Sequence, residues 1–383
     1  MRKFSLLVLA ILGFAFVACD DDDHLGDWGK APEYSGKMRN QAVSFTIGDN
    51  VYVGLGYGVD LSEYTDFKRF DMKSMTWYDV EDTFKDAVDR DGEKAKGRHG
   101  AIAFTAEVDG KTYAYVGLGY ITSRTTGNGE NTETRPKEYL KDLWRYDAET
   151  NSWKQMADFP GTARRDAVAF SLGGYGFVGT GRADNAEMFK DFYRYDPKTD
   201  TWSGDLGFIG GQRYGATAFV VDGAAYVCLG LSGSSPRTDV SKCTIDANGE
   251  VKWEPMQALA DKPGVKQDKD YGRIPRGYAV SFISNRGKNG ENYAYIATGQ
   301  GNNPQTVWKY NHKKDQWHQM ENIVGGSLVG AVSFVVDGYG YYTTGGGSID
   351  PIASSSNASS NFSNSTWRFI PDVKEDRAND YDY

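Results

Sequence analysis

The stretch "KDFYRYDPKTDTW" (190–202) decides the fold. Its aromatics fall at near-alternating positions before an Asp-Pro turn, and a tryptophan opens the next run, which reads as strand, turn, strand. Upstream, "FVGTGRADNA" (177–186) is an apolar run ending in Gly-x-Gly, the form of a phosphate-cradling loop. A nucleotide site there would need a helix after the glycines, with its N-terminus on the phosphate. A strand follows instead, so the glycines close a strand.

The same arrangement recurs along the chain. Six segments place a phenylalanine at the end of a strand that five times begins with arginine: "RNQAVSF" (39–45), "RHGAIAF" (98–104), "RRDAVAF" (164–170), "RYGATAF" (213–219), "RGYAVSF" (276–282) and "LVGAVSF" (328–334). Each leads through a turn into an aromatic-rich strand ending in glycine, such as "VYVGLG" or "AYIATG". A third strand follows, as in "DFKRFD", "DLWRYD" and "TVWKYN", and then a fourth opened by Trp77, Trp153, Trp202, Trp253 or Trp317.

Six first strands have only five downstream tryptophans. The sixth repeat ends in "RFIPDVKEDRANDYDY" without one, while Trp28 stands near the N-terminus with no strands before it. Trp28 lies 17 residues before Phe45, as do Trp153, Trp202 and Trp317 before Phe170, Phe219 and Phe334. The spacing predicts that Trp28 supplies the missing fourth strand of the last repeat.

Four-strand units of about 50 residues with a strand-ending glycine motif, a "KDLWRYDAETNSW"-type segment (141–153) and a fourth-strand tryptophan resemble Kelch repeats. The glycine pair is altered in most repeats, and repeat 4 diverges furthest. The resemblance implies an all-β fold, a six-bladed Kelch β-propeller over 28–371 closed by the N-terminal strand. Radial closure leaves few strand edges exposed.

Composition agrees with that class. The 383 residues include 25 Tyr, 19 Phe, 9 Trp and 46 Gly, a balance that favours strands and turns. A net charge of -9 argues against nucleic acid as a partner. The basic start "MRK" and the apolar run before Cys19 predict a signal peptide over 1–18. "FVAC" (16–19) resembles the lipobox of bacterial lipoproteins, which implies lipidation of Cys19, a lipid anchor as the only membrane contact, and a place in the cell envelope. The acidic run in the 19–27 linker resembles the export signal of surface lipoproteins of Bacteroidetes type; a solvated linker is the alternative. Residues 372–383 read as an acidic disordered tail. Cys228 and Cys243 form either a disulfide or two small core residues.

Strand geometry locates a binding face. The starts of first strands and ends of second strands share one mouth of the channel, so Arg39, Arg98, Arg164, Arg213 and Arg276 are expected to ring it. Asp66, Asp142, Asp191 and Asp239 open third strands on the same face and could neutralise the first four. Thr306 replaces the aspartate in repeat 5, predicting unpaired charge near blades 5 and 6. A second ring, Tyr57, Tyr120, Arg182, Leu231, Gln300 and Gly346, offers stacking faces and donors, or merely plugs the channel. Long loops at 121–139, 260–275 and 354–364 add candidate surface.

Catalytic patterns are sparse. Copper oxidases resembling galactose oxidase need two metal-bound histidines, and of His24, His99, His312 and His318 only His99 is suitably placed. No zinc spacing, Ser-His-Asp set or phosphate loop is present. "LSGSSPRTD" (231–239) resembles a loop of the N-acetylneuraminate epimerase family, with Arg237 matching its arginine but Leu231 in place of its catalytic glutamate. That alternative therefore needs Glu187 or Asp184 as substitute. The expected function is non-catalytic binding of a glycan, acidic in charge, or of a protein at the mouth, by a monomer without cofactor or metal.

Overall fold

The computed structural model describes residues 25–60, 62–126, 133–261, 270–286, 290–349 and 362–374. Cys19, the leader, most of the acidic linker and the end of the tail lie outside the described residues.

Six four-stranded antiparallel sheets form the blades, five of them simple meanders and the sixth a meander of three strands completed by the N-terminal strand. The inner strands are Val43–Ile47, Ile102–Val108, Val168–Leu172, Thr217–Val221, Val280–Ser284 and Val332–Val336, and each contacts the next around a closed circle. The described helices are three-residue 3-10 turns.

The last blade is shared between the two ends of the chain. Strand Leu25–Ala31 pairs antiparallel with strand Thr366–Lys374, in a register that sets Trp28 opposite Phe369. Trp28 therefore completes blade 6, as its spacing predicts.

The repeated phenylalanine holds the blades to one another. Phe45 packs on Tyr146 of blade 2 at 5.8 Å between ring centroids, and Phe104, Phe219, Phe282 and Phe334 meet Tyr195, Tyr310, Phe369 and Phe70 of their following blades in the same way. Blade 4 carries Cys243 at that third-strand position. It sits in the cluster that holds Phe170, where Phe208 and Trp253 supply the bulk. Cys228 is buried in a different cluster. The two thiols are free, so the small-core-residue alternative describes them, and burial pushes both up to about 12.

Candidate functional site

The five strand-opening arginines do not line the mouth. Arg39, Arg98, Arg164, Arg213 and Arg276 are all at most 1% exposed. Each donates Nε–H to the carbonyl two residues back and Nη1–H to the carbonyl of the residue just past the second strand: Leu55, Leu118, Thr180, Leu229 or Thr298. Those carbonyls belong to left-handed residues, with φ from 56° to 63°, whose peptide groups have left the ladder and need donors. The first four guanidinium groups also pair with Asp66, Asp142, Asp191 and Asp239.

Arg276 corrects the expectation of free charge at blade 5. It donates to Thr306 Oγ1 at 2.5 Å and to the Thr306 carbonyl at 2.9 Å, besides further carbonyls. Burial, followed by nearby Arg273, pushes its pKa down to about 10. These five residues are blade staples, buried away from the mouth.

Two residues after each arginine position, the chain turns into the inner strand through a left-handed residue. These six are Gln41, Gly100, Asp166, Gly215, Tyr278 and Gly330, with φ between 52° and 67°. Each backbone N–H from Gly100 to Tyr278 donates to the carbonyl of its predecessor on the ring, and Gln41 donates to Gly330. Glycine alternates with a side chain around the axis. A Cβ on Gly100 would stand 2.7 Å from Asp166 Oδ1, and one on Gly330 2.0 Å from Asn40 Oδ1. The glycines thus leave the space into which Gln41, Asp166 and Tyr278 lean.

Those three side chains close the channel with polar contacts. Tyr278 donates its hydroxyl to Asp166 Oδ2 at 3.0 Å, across the channel from blade 5 to blade 3. Arg182 donates Nε–H to the same oxygen at 2.7 Å and lies over the Tyr214 ring, while Arg165 Nε approaches to 3.6 Å. Burial alone would raise the Asp166 pKa, but Arg182 and Arg165 outweigh it and hold the carboxyl below its ordinary value. Burial and then Asp166 keep the Tyr278 phenol well above its own.

A second chain of hydrogen bonds starts at His99. Gln41 donates its amide N–H to the Ile349 carbonyl at 2.8 Å, so its oxygen faces His99 Nδ1 at 3.2 Å and fixes the proton there. His99 Nε2 is then left to accept from Thr122 Oγ1. Burial first, then Arg165, pushes the His99 pKa down to about 3, so the ring is neutral. Asn40 and Gln41 together pin Ser348 and Ile349 against the mouth.

Above this floor lies a cavity of about 550 Å³, lined by Arg182, Tyr214, Leu231, Gly233, Ser234, Pro236, Tyr278, Gln300, Gly301, Asn302 and Ile349. Of the second ring read from sequence, Arg182, Leu231 and Gln300 line it. Tyr57 is buried on blade 1, its ring tilted against His99 at 5.4 Å between centroids, and Tyr120 is half-buried among His99, Tyr139 and Arg165. Arg237 pairs with Asp239, the carboxylate that also holds Arg213. Leu231 is an apolar wall at the position matched to a glutamate. Asp184 pairs with Lys137 at 2.5 Å, and Glu187 is exposed. Asp166, Tyr278 and Tyr214 are not legible from the strand-opening arginines; for Asp166 and Tyr278 the signal is a column in which Gln, Asp and Tyr alternate with glycine, and Tyr214 stands one residue before that column.

No family model matches the chain, and no curated protein matches it in sequence. Among solved structures it matches one titled "Structure of YjhT", at 16% identity and a TM-score of 0.57, over 87% of this chain and 95% of that one. The likeness is one of fold, and together with the six blades it supports a Kelch-like propeller.

Proposed function

We propose that this chain is a non-catalytic binding protein of the cell envelope that takes a saccharide, acidic where it meets Arg182, in the cavity over blades 3 to 6. One observation carries the reading: the cavity joins the aromatic groups of Tyr214 and Tyr278 to the planar polar groups of Arg182, Gln300 and Asn302. Aromatic surface beside a few directed hydrogen-bonding groups is what a small-molecule site needs for affinity and orientation together. The predicted leader and Cys19 support the location.

Epimerase or mutarotase chemistry is the alternative. It requires an ionisable group within reach of the sugar, and Leu231 supplies none. Asp166 is ionised but already accepts from Tyr278 and Arg182.

Calorimetry with glucuronate and N-acetylneuraminate against glucose and N-acetylglucosamine tests the proposal. Binding of an acidic sugar that Arg182→Ala weakens at least tenfold, measured at a temperature where the variant is still folded, is the expected result. No binding by any of the four, or binding indifferent to Arg182→Ala, overturns it. An NMR mutarotation assay on the same sugars reports on the alternative.

A further inference from the structure

We propose that Asp166 is the positioning residue that sets the hydrogen-bond polarity of the mouth, making Tyr278 an acceptor toward anything in the cavity and orienting Arg182 as the donor beside it. The inference rests on the binding reading above for its ligand, but its physical content is a property of the protein alone.

The argument is one of counting protons. An ionised carboxylate has no proton to give, so between Asp166 and Tyr278 the phenol must be the donor. A phenol has one O–H, and it is spent on Asp166 Oδ2 at 3.0 Å. The Tyr278 oxygen therefore has only lone pairs left, and a ligand group reaching it must bring a proton. Arg182 is a donor whatever surrounds it, since a guanidinium has no lone pair to offer. Its orientation is set from both sides: Nε–H on Asp166 Oδ2 at 2.7 Å, and the guanidinium plane 4.3 Å over the Tyr214 ring.

Asp166 is built for that task at a cost. Its side chain is 1% exposed, and its backbone sits at φ 57° where glycine occupies three of the six equivalent positions. Non-glycine residues persist in that region only where their surroundings hold them there. The charged groups facing Tyr278 are Asp166, Arg182 and Arg165, and the titratable Tyr214 ring lies 6.1 Å from its own. Removing Asp166 leaves two cations and no anion among them, which favours the phenolate. The ligand class follows: a saccharide that presents a hydroxyl or amide N–H to Tyr278 and, beside it, an acceptor or anionic group to Arg182.

The experiment is a tyrosine titration on the full chain carrying ¹³Cζ-tyrosine, with the Tyr278 signal assigned by Tyr278→Phe. Asp166→Asn is expected to lower the Tyr278 pKa by one unit or more; an unchanged titration overturns the inference. If Asp166→Asn does not fold, the same bond is read from its other end. Tyr278→Phe should then raise the Asp166 pKa in a ¹³Cγ titration, and an unmoved Asp166 is the overturning result. These readings need no ligand. Should the sugar panel fail while Tyr278 shifts, the binding reading falls and the role of Asp166 stands; should glucuronate bind while Tyr278 does not shift, the reverse holds.

Discussion

Trp28, on the first strand, packs on Phe369, on the last, with ring centroids 4.8 Å apart. Tyr342 meets the same indole edge-on at 5.3 Å. The contact joins the two ends of the chain without a covalent bond, so every blade interface depends on one strand staying in register.

Trp28→Ala should accordingly cost more than a peripheral strand residue would. Trp28 is 1% exposed, and truncating a buried tryptophan costs about 3–5 kcal/mol. Deleting residues 19–36 should lower the melting temperature further still. Calorimetric melting checks both, and a truncation that melts with the intact protein would show that closure contributes nothing.

Acid should unfold the propeller through its staples. Asp142 and Asp239 are pushed up by burial but held below their ordinary pKa by Arg98 and by Arg213, respectively, and Asp166 likewise by Arg182. A carboxylate whose pKa is lower in the folded chain adds stability that is complete above its unfolded value, about 3.9, and lost as pH falls through the folded one. Stability measured by denaturant should begin to fall below about pH 6.5, where the unfolded chain protonates His99 and the folded chain, with that imidazole pushed down to about 3, does not, and should fall more steeply below about pH 4 as the carboxylates lose their charge. Asp142→Asn should be less stable at pH 7, since Arg98 is left buried without its partner. It should also lose stability less steeply in acid, and a slope equal to the native one would disconnect Asp142 from the transition.

Blade 5 invites repair. In blade 2 Asp142 accepts from Arg98 and from Trp144 Nε1. Thr306 takes the same two contacts from Arg276 and Trp308 with a single oxygen. Thr306→Asp should return the carboxylate that four other blades carry. It should raise stability by about 1 kcal/mol, in line with an ionised acceptor replacing a neutral one opposite the guanidinium. A lower melting temperature would mean that the lost Thr306 bond to the Asn303 carbonyl outweighs the gain.

The fold was legible because its signals repeat. The Trp28-to-Phe45 spacing located the closing strand, since a blade interface needs an aromatic at the same depth each time. Pairwise chemistry was less legible. Arg276 looked like free charge because its aspartate column reads threonine, yet backbone carbonyls, which no sequence displays, satisfy it. Tyr57 and Arg182 sit in one column, but the first is buried and the second lines the cavity. Asp166 and Tyr278 were hidden for a different reason: their role comes from a contact across the axis, 112 residues apart in the chain. Cys243 was ambiguous until Phe208 and Trp253 were seen to fill the space beside it.

Gly215 offers a way to separate backbone strain from that contact. It sits at φ 58°, and a Cβ there would stand 3.0 Å from the Tyr278 ring. Gly223 also has a left-handed backbone, at φ 77°, with nothing within 4 Å of an added Cβ. Alanine at either should pay about 1–2 kcal/mol for the conformation. Only Gly215→Ala should also press on Tyr278, loosening its bond to Asp166. The expected outcome is similar loss of stability in both variants, with weakened sugar binding and a lowered Tyr278 pKa in Gly215→Ala alone. Equal binding by the two would mean that the Tyr278 ring can yield without consequence. The alternation of glycine with larger side chains around the axis would then be a matter of backbone geometry and not of the site.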